Sequence, residues 1–233
     1  MKEHEPGALV LLPKQPGESA RYWAYRCILD NIVGIRLEPG QTLVEQELSN
    51  WLGISRTPVR DALFQLSQEL FVTLIPQSRT LVSKIDLNLV EDARYIRRCV
   101  EMDIIRTIAP VFDEEHLLTV KYIFQRQELA HKKHNTEMVH QFDEQLHRTF
   151  FEIAGMLRMW ENINHQNLHF QRVRTLYNIH ARSTDHVITQ HRELIAALET
   201  KDFSLAEELM GRHLSNAGWN IATLKEQHPH YFI

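Results

Sequence analysis

Residues 48–63 read LSNWLGISRTPVRDAL, and the position of the glycine in that run decides how the first third of the chain folds. Val44 to Leu52 is amphipathic at helical spacing and stops at Gly53, the residue type that takes up a tight-turn backbone most readily. Ser55 then stands where a helix N-cap is wanted. Pro58 is tolerated within the first turn, so a second helix runs from Arg56 to about Gln68. Val59, Leu63, Leu66 and Leu70 form its inward stripe, and Arg56 and Arg60 share a different face. Two short helices joined by a glycine turn are the outline of a helix-turn-helix.

On the C-terminal side, FVTLI (71–75) and TLVSKI (80–85) are β-branched, apolar runs flanking Pro76-Gln77-Ser78-Arg79, which predicts a hairpin wing. On the N-terminal side, a helix begins at Glu18 with Tyr22, Tyr25, Leu29, Ile32 and Val33 on one face, and Glu38-Pro39-Gly40 is a turn. Residues 1–17 contain three prolines and read as a flexible tail. Beyond residue 86 the periodicity is helical throughout, with helices expected at 87–109, 113–134, 136–154, 156–179, 184–200 and 202–224. The expected fold class is therefore mainly α: a winged helix-turn-helix over 18–85, an all-helical bundle over 86–227, and a short tail at 228–233.

Composition narrows the function classes. With 43% hydrophobic and 24% charged residues the chain is an ordinary globular one. No run approaches the roughly 18 apolar residues of a membrane span, and Met1 to Gly17 lacks a secretory core, so a cytoplasmic protein is expected. Cys27 and Cys99 fall on separate helices, give no disulfide framework, and are read as small buried residues. The net charge of −4 excludes a nonspecific nucleic-acid coat. Residues 18–85 carry seven basic and seven acidic side chains, whereas 86–233 carry seventeen and twenty-one and hold the whole acidic excess.

A second helix-turn-helix helix enters the major groove with its N-terminal residues. Arginine there donates two hydrogen bonds to guanine, worth about 1–3 kcal/mol of base discrimination. The Ser55 and Thr57 hydroxyls suit phosphate oxygens, and Arg79 and Lys84 on the wing reach backbone or minor groove. The plainer reading is a capped, solvated helix start. Residues 38–82, EPGQTLVEQELSNWLGISRTPVRDALFQLSQELFVTLIPQSRTLV, resemble the DNA-binding signature of the GntR family of regulators. The resemblance implies DNA contacts at Ser55, Arg56, Thr57 and Arg60. The sequence departs from the family at three positions. Gln46 replaces an arginine that contacts DNA in some members, Leu70 replaces the glycine that ends the recognition helix, and Arg79 replaces a glycine at the wing tip. The last substitution puts a side chain where a positive φ is expected at the wing tip.

Of the fourteen histidines, three lie on or beside apolar faces. His191 falls among Val187, Leu194, Ile195 and Leu198, and His213 among Ala206, Leu209, Met210 and Ala217. His147 sits one turn from Asp143, beside Phe142, Leu146 and Phe150. A lone inward histidine is usually a hydrogen-bonded core residue, and an i, i+4 Asp–His pair usually a solvated contact. Three imidazoles and a carboxylate on facing helices instead suit zinc, or nickel and related divalent ions. FDEQLHRTFF, HRELIAAL and GRHLSNA, within 87–222, resemble the FadR-like branch of the family with its FCD ligand-binding domain. That resemblance implies a metal site of Asp143, His147, His191 and His213 beneath a pocket for an effector, often a small organic acid. Arg97 lines up with a recurring arginine that can pair with an anionic effector, although an Arg97–Glu101 surface pair is an equal reading. Arg172 and Arg174 are weaker candidates.

These readings predict a homodimeric, metabolite-responsive transcriptional regulator, more readily a repressor, on a pseudo-palindromic operator. Two rivals stand beside it. A metal-dependent hydrolase needs an open metal position and a general acid or base, yet the sequence has no HExxH and residues 44–84 would be unexplained. A DNA-binding protein whose helical half only dimerises leaves the inward imidazoles without a purpose.

Overall fold

Ser19 starts the first helix: its hydroxyl accepts from the Tyr22 amide at 3.1 Å, and α1 runs Ala20–Val33. Its inward face is Trp23, Ala24, Tyr25, Cys27, Ile28 and Ile32, whereas Tyr22 is exposed. Tyr25 and Ile32 of the expected stripe are thus buried, Leu29 and Val33 are half-buried, and Trp23 takes the inward place expected of Tyr22. The computed structural model describes residues 8–181, 184–215 and 221–233, and the side chains of all of these except 178–181.

After a turn at Glu38–Gln41, where Gly40 has φ +85°, come β1 (Thr42–Leu43), α2 (Glu45–Leu52) and α3 (Arg56–Gln68). Gly53 ends α2 at φ +65°, the left-handed backbone that favours glycine. The buried Ser49 donates from its hydroxyl to the Ile54 carbonyl at 2.6 Å and staples the turn shut. Ser55 occupies the N-cap position of α3, but its side chain makes no cap bond, contrary to expectation. Val59, Ala62, Leu63 and Leu66 face inward, and α1 packs on α3.

The wing is β2 (Val72–Ile75) and β3 (Arg79–Val82), antiparallel, with β1 completing a sheet of order β1-β3-β2. Arg79 lies in β3 opposite Ile75, and the positive φ of the hairpin falls on Gln77, at 57°. The glycine missing from position 79 therefore costs no strain there. Leu70, by contrast, does hold φ +64°.

This first unit also takes in residues 171–176 and 221–233, which the expected boundaries at 85/86 and 227/228 assigned elsewhere. α11 (Ile221–Gln227) and a 3-10 turn at Pro229–Tyr231 bury Leu224, Tyr231 and Phe232. The Ile85 amide donates to Tyr231 O at 2.8 Å, and the Ile233 amide to Ile85 O at 3.1 Å. Residues 228–233 are accordingly a packed segment, not a tail. The expected tail at 1–17 is likewise tied down from residue 10: Val10 exchanges two 2.9 Å hydrogen bonds with Asn31, and Trp23 Nε1 donates to Leu12 O at 2.8 Å.

The second unit, residues 88–170 and 177–220, is all helix among its described residues. It contains α4 (Leu87–Ile108, entering at 88), α5 (Glu114–Lys132), α6 (Thr136–Ile153), α7 (Leu157–Gln166), α9 (Asp185–Glu199), α10 (Phe203–Ser215) and both ends of α8 (Leu168–Ala181). Asp113 and Asn135 cap α5 and α6 through the His116 and Met138 amides. Ile105, Ile108, Val120, Leu146, Phe150, Leu194 and Met210 are central in the core. The single helix expected at 156–179 is two, α7 and α8, parted at Asn167, whose φ −66° and ψ −11° stay helical. Of the helix expected at 202–224, residues 216–220 with Ala217 lie outside the described residues. Cys27 is buried as expected, but Cys99 is exposed on α4.

Candidate metal centre and nucleic-acid interface

The start of α3 puts Ser55, Arg56, Thr57 and Arg60 on the surface while Val59 beside them is buried. Arg79 and Lys84 are exposed on and just after the wing. The guanidiniums are not idle: Arg60 donates through Nε and Nη2 to Glu45 at 3.1 and 2.9 Å, and Arg56 through Nη2 to the same carboxylate at 3.2 Å. Glu45, the first residue of α2, was not singled out by sequence reasoning, since nothing in its spacing links it to α3. Gln46 turns along its own helix to Asn50.

In the second unit, α6, α9 and α10 bring Asp143, His147, His191 and His213 together, with one ligand atom from each within 4.8 Å of the others. His213 Nε2 lies 3.2 Å from His147 Nε2 and 3.3 Å from His191 Nε2. Asp143 Oδ1 lies 3.5 Å from His191 Nε2 and 3.9 Å from His147 Nε2. A Cβ at Gly211 would come within 2.8 Å of Met102 Sδ, the end of a flexible side chain.

The outer ring nitrogens are all held. His147 Nδ1 meets Glu101, His191 Nδ1 meets Gln127 Oε1 at 2.8 Å, and His213 Nδ1 meets Gln190 Oε1 at 2.9 Å. Side-chain oxygens at Nδ1 make Nδ1 the protonated nitrogen and turn the Nε2 lone pairs inward toward one another. Lone pairs facing at this range repel unless a proton or cation lies between them. Burial opposes protonation: it pulls His191 down to about 4, and His213, with the neighbouring imidazoles adding to the effect, well below its usual range. A tetrahedral ion with metal–nitrogen bonds of about 2.0–2.1 Å has ligand–ligand edges of about 3.3–3.4 Å, so the spacing and donor chemistry fit a divalent cation.

Arg97 and Glu101 do pair, but in the interior instead of on the surface: their side chains are 5% and 1% exposed. Burial alone would raise the Glu101 carboxyl, but Arg97 and His147 outweigh it and hold it below the ordinary range. Arg97 stacks over Trp160, 6.0 Å from the ring centroid, and its buried Nη2 has no acceptor among the described residues. Glu101 thus orients both a histidine of the cluster and the candidate effector arginine. Gln127, which sequence reading passed over, was visible as the one amide on the buried face of α5 between Phe124 and Ala130. Arg172 belongs to the first unit, where it donates to Ser83 O at 2.6 Å; Arg174 falls in the same 171–176 segment.

The family model described as bacterial regulatory proteins, gntR family, matches residues 23–82, and that of the FCD domain matches 92–216. The chain belongs to the GntR family, with an FCD domain. Its families are those of transcriptional regulators, not enzymes, so the hydrolase reading falls. The regulator is 24% identical over 217 residues to the HTH-type transcriptional repressor RspR of Escherichia coli K12, covering 93% of this chain and 95% of that one. It is 29% identical over 217 residues to an HTH-type transcriptional regulator in an unstable DNA locus of Streptomyces ambofaciens, covering 93% and 91%. Among solved structures it superposes on E. coli McbR/YncC with a TM-score of 0.69 at 20% identity, over 91% and 99% of the two chains. A GntR regulator from Rhodococcus sp. RHA1 gives the same TM-score, 0.69, at 18% identity, over 90% and 99%. Among the described residues no helix is long and apolar enough to cross a membrane.

Proposed function

We propose that this regulator is a metabolite-responsive repressor whose helical unit holds a divalent metal, zinc or nickel, on Asp143, His147, His191 and His213, and binds a small carboxylate effector with Arg97. The observation that carries the reading is the convergence of three inward Nε2 atoms, each with its Nδ1 anchored outward. A bound metal with a coordination position beyond these four ligands supplies a Lewis-acidic seat for a carboxylate oxygen. Arg97 keeps an unfilled Nη2 for the same anion, and Glu101 fixes its guanidinium plane.

Ser55, Arg56, Thr57, Arg60 and Arg79 contact the operator, Arg56 and Arg60 at base edges and the others at its backbone, with two copies on a pseudo-palindromic site. Repression is favoured because a relative of similar length is a repressor. Two experiments test this. Selection from random-sequence duplexes should retain a short pseudo-palindrome; purely salt-dependent, sequence-independent retention would refute the DNA assignment. Elemental analysis of protein purified without chelator should give about one divalent ion per chain, and His147→Ala with His191→Ala should abolish it. A metal-free protein whose melting temperature does not rise with added zinc or nickel would leave the helical half as a dimerisation module alone.

A further inference from the structure

We propose that Glu45 determines the specificity of the DNA-reading surface, by fixing how Arg60 and Arg56 are presented and by keeping both off the phosphates. This rests on the reading of those two arginines as DNA contacts. Glu45 Oε1 accepts from Arg60 Nε at 3.1 Å, while Oε2 accepts from Arg60 Nη2 at 2.9 Å and from Arg56 Nη2 at 3.2 Å. The carboxylate therefore covers the Nε–Nη2 edge of the Arg60 guanidinium as a two-pronged pair.

A guanidinium is planar and has a second forked edge, Nη1–Nη2, which Glu45 leaves open. That edge matches O6 and N7 of guanine. An arginine without such a brace swings on a flexible stem and settles on any phosphate oxygen, which carries no sequence information. Glu45 opposes this in two ways: it occupies the competing edge, and its charge repels phosphate from the space around both cations. The Arg60 and Arg56 guanidiniums hold the Glu45 carboxyl below the usual range, so it is ionised at neutral pH.

Stability does not account for the arrangement. The Arg56 and Arg60 side chains are 56% and 65% exposed, and ion pairs at such exposure contribute little to folding. Three residues from two helices converge on the surface proposed for DNA, where the pair has work to do in recognition.

The test uses the full chain as wild type, Glu45→Gln and Glu45→Asp. Each protein selects from one library of random-sequence duplexes. Affinities for the duplex selected by wild type and for a shuffled duplex of equal length are then measured from about 50 to 200 mM salt. Both variants should bind the shuffled duplex more tightly, with a salt slope steeper by about one to two as the guanidiniums reach phosphates. The ratio of selected to shuffled affinity should fall by about 5- to 100-fold. Aspartate keeps the charge but is one methylene too short for the forked pair, so it should fall between wild type and Glu45→Gln. An unchanged ratio and slope in Glu45→Gln overturns the inference while leaving the DNA reading intact. So does Glu45→Asp behaving as wild type, since charge alone would then suffice. If wild type selects no sequence, the DNA reading itself fails and this inference with it.

Discussion

Arg79 is exposed in β3, its backbone paired opposite Ile75, so its guanidinium is free of any conformational duty at the wing tip. Replacing it with glycine should weaken binding to all duplexes alike and lower the salt slope by about one, the signature of a phosphate contact. Equal operator binding by Arg79→Gly, measured by fluorescence anisotropy across a salt series, would remove Arg79 from the interface. Glu101 offers the opposite case, a residue deep in the second unit. Glu101→Gln leaves the Arg97 guanidinium buried without its counter-charge, a loss of about 3–5 kcal/mol in a denaturant titration. The same change loosens His147 at Nδ1 and should weaken metal binding about 10- to 100-fold by competition with a chelator. The four candidate metal ligands were legible because each is polar within or beside an apolar face. Their supports were less so: Glu101 was seen only as a partner for Arg97, because the contact with His147 spans 46 positions of sequence.

Helix α3 ends where Leu70 adopts φ +64° on an otherwise ordinary surface, 52% exposed. A left-handed backbone costs a non-glycine residue about 1–2 kcal/mol, and glycine's extra freedom when unfolded returns about 0.5–1. Leu70→Gly should therefore stabilise the protein by about 0.5–1 kcal/mol, read as a higher denaturant midpoint with an unchanged m-value. A lowered midpoint would mean that Leu70 packs against something its exposure does not reveal. The two central helices and the wing were legible from Gly53, Ser55 and the β-branched runs, because local turn chemistry and periodicity determine them. β1 was not, since two residues carry no alternation to read. The break at Asn167 was equally silent, because helical torsions persist through it. One residue on the face of α1 was misread for a different reason. Tyr22 and Trp23 are both large and aromatic, and it is Trp23 that turns inward, where its Nε1 donates to Leu12 O of the N-terminal segment.

At the scale of the whole chain, the proposed effector and the operator must answer to one coupling free energy. If an effector weakens operator binding by a given factor, the operator must weaken effector binding by the same factor, typically about 5- to 150-fold. Calorimetric titration of the effector with and without saturating operator duplex should return that equality; unequal factors would mean that a third species takes part. Nothing in the composition or periodicity of 171–176 or 221–233 ties them to the first unit, because that tie is long-range pairing. The pairing of Ile85 with Tyr231 and Ile233 has a consequence in time. A ribosome adds about 5–20 residues per second, so residues 229–233 follow Ile85 by roughly seven to thirty seconds. During that interval the nascent first unit has α3 but lacks the C-terminal segment with which Ile85 will pair. The first unit therefore closes only after the whole of the second unit has been translated.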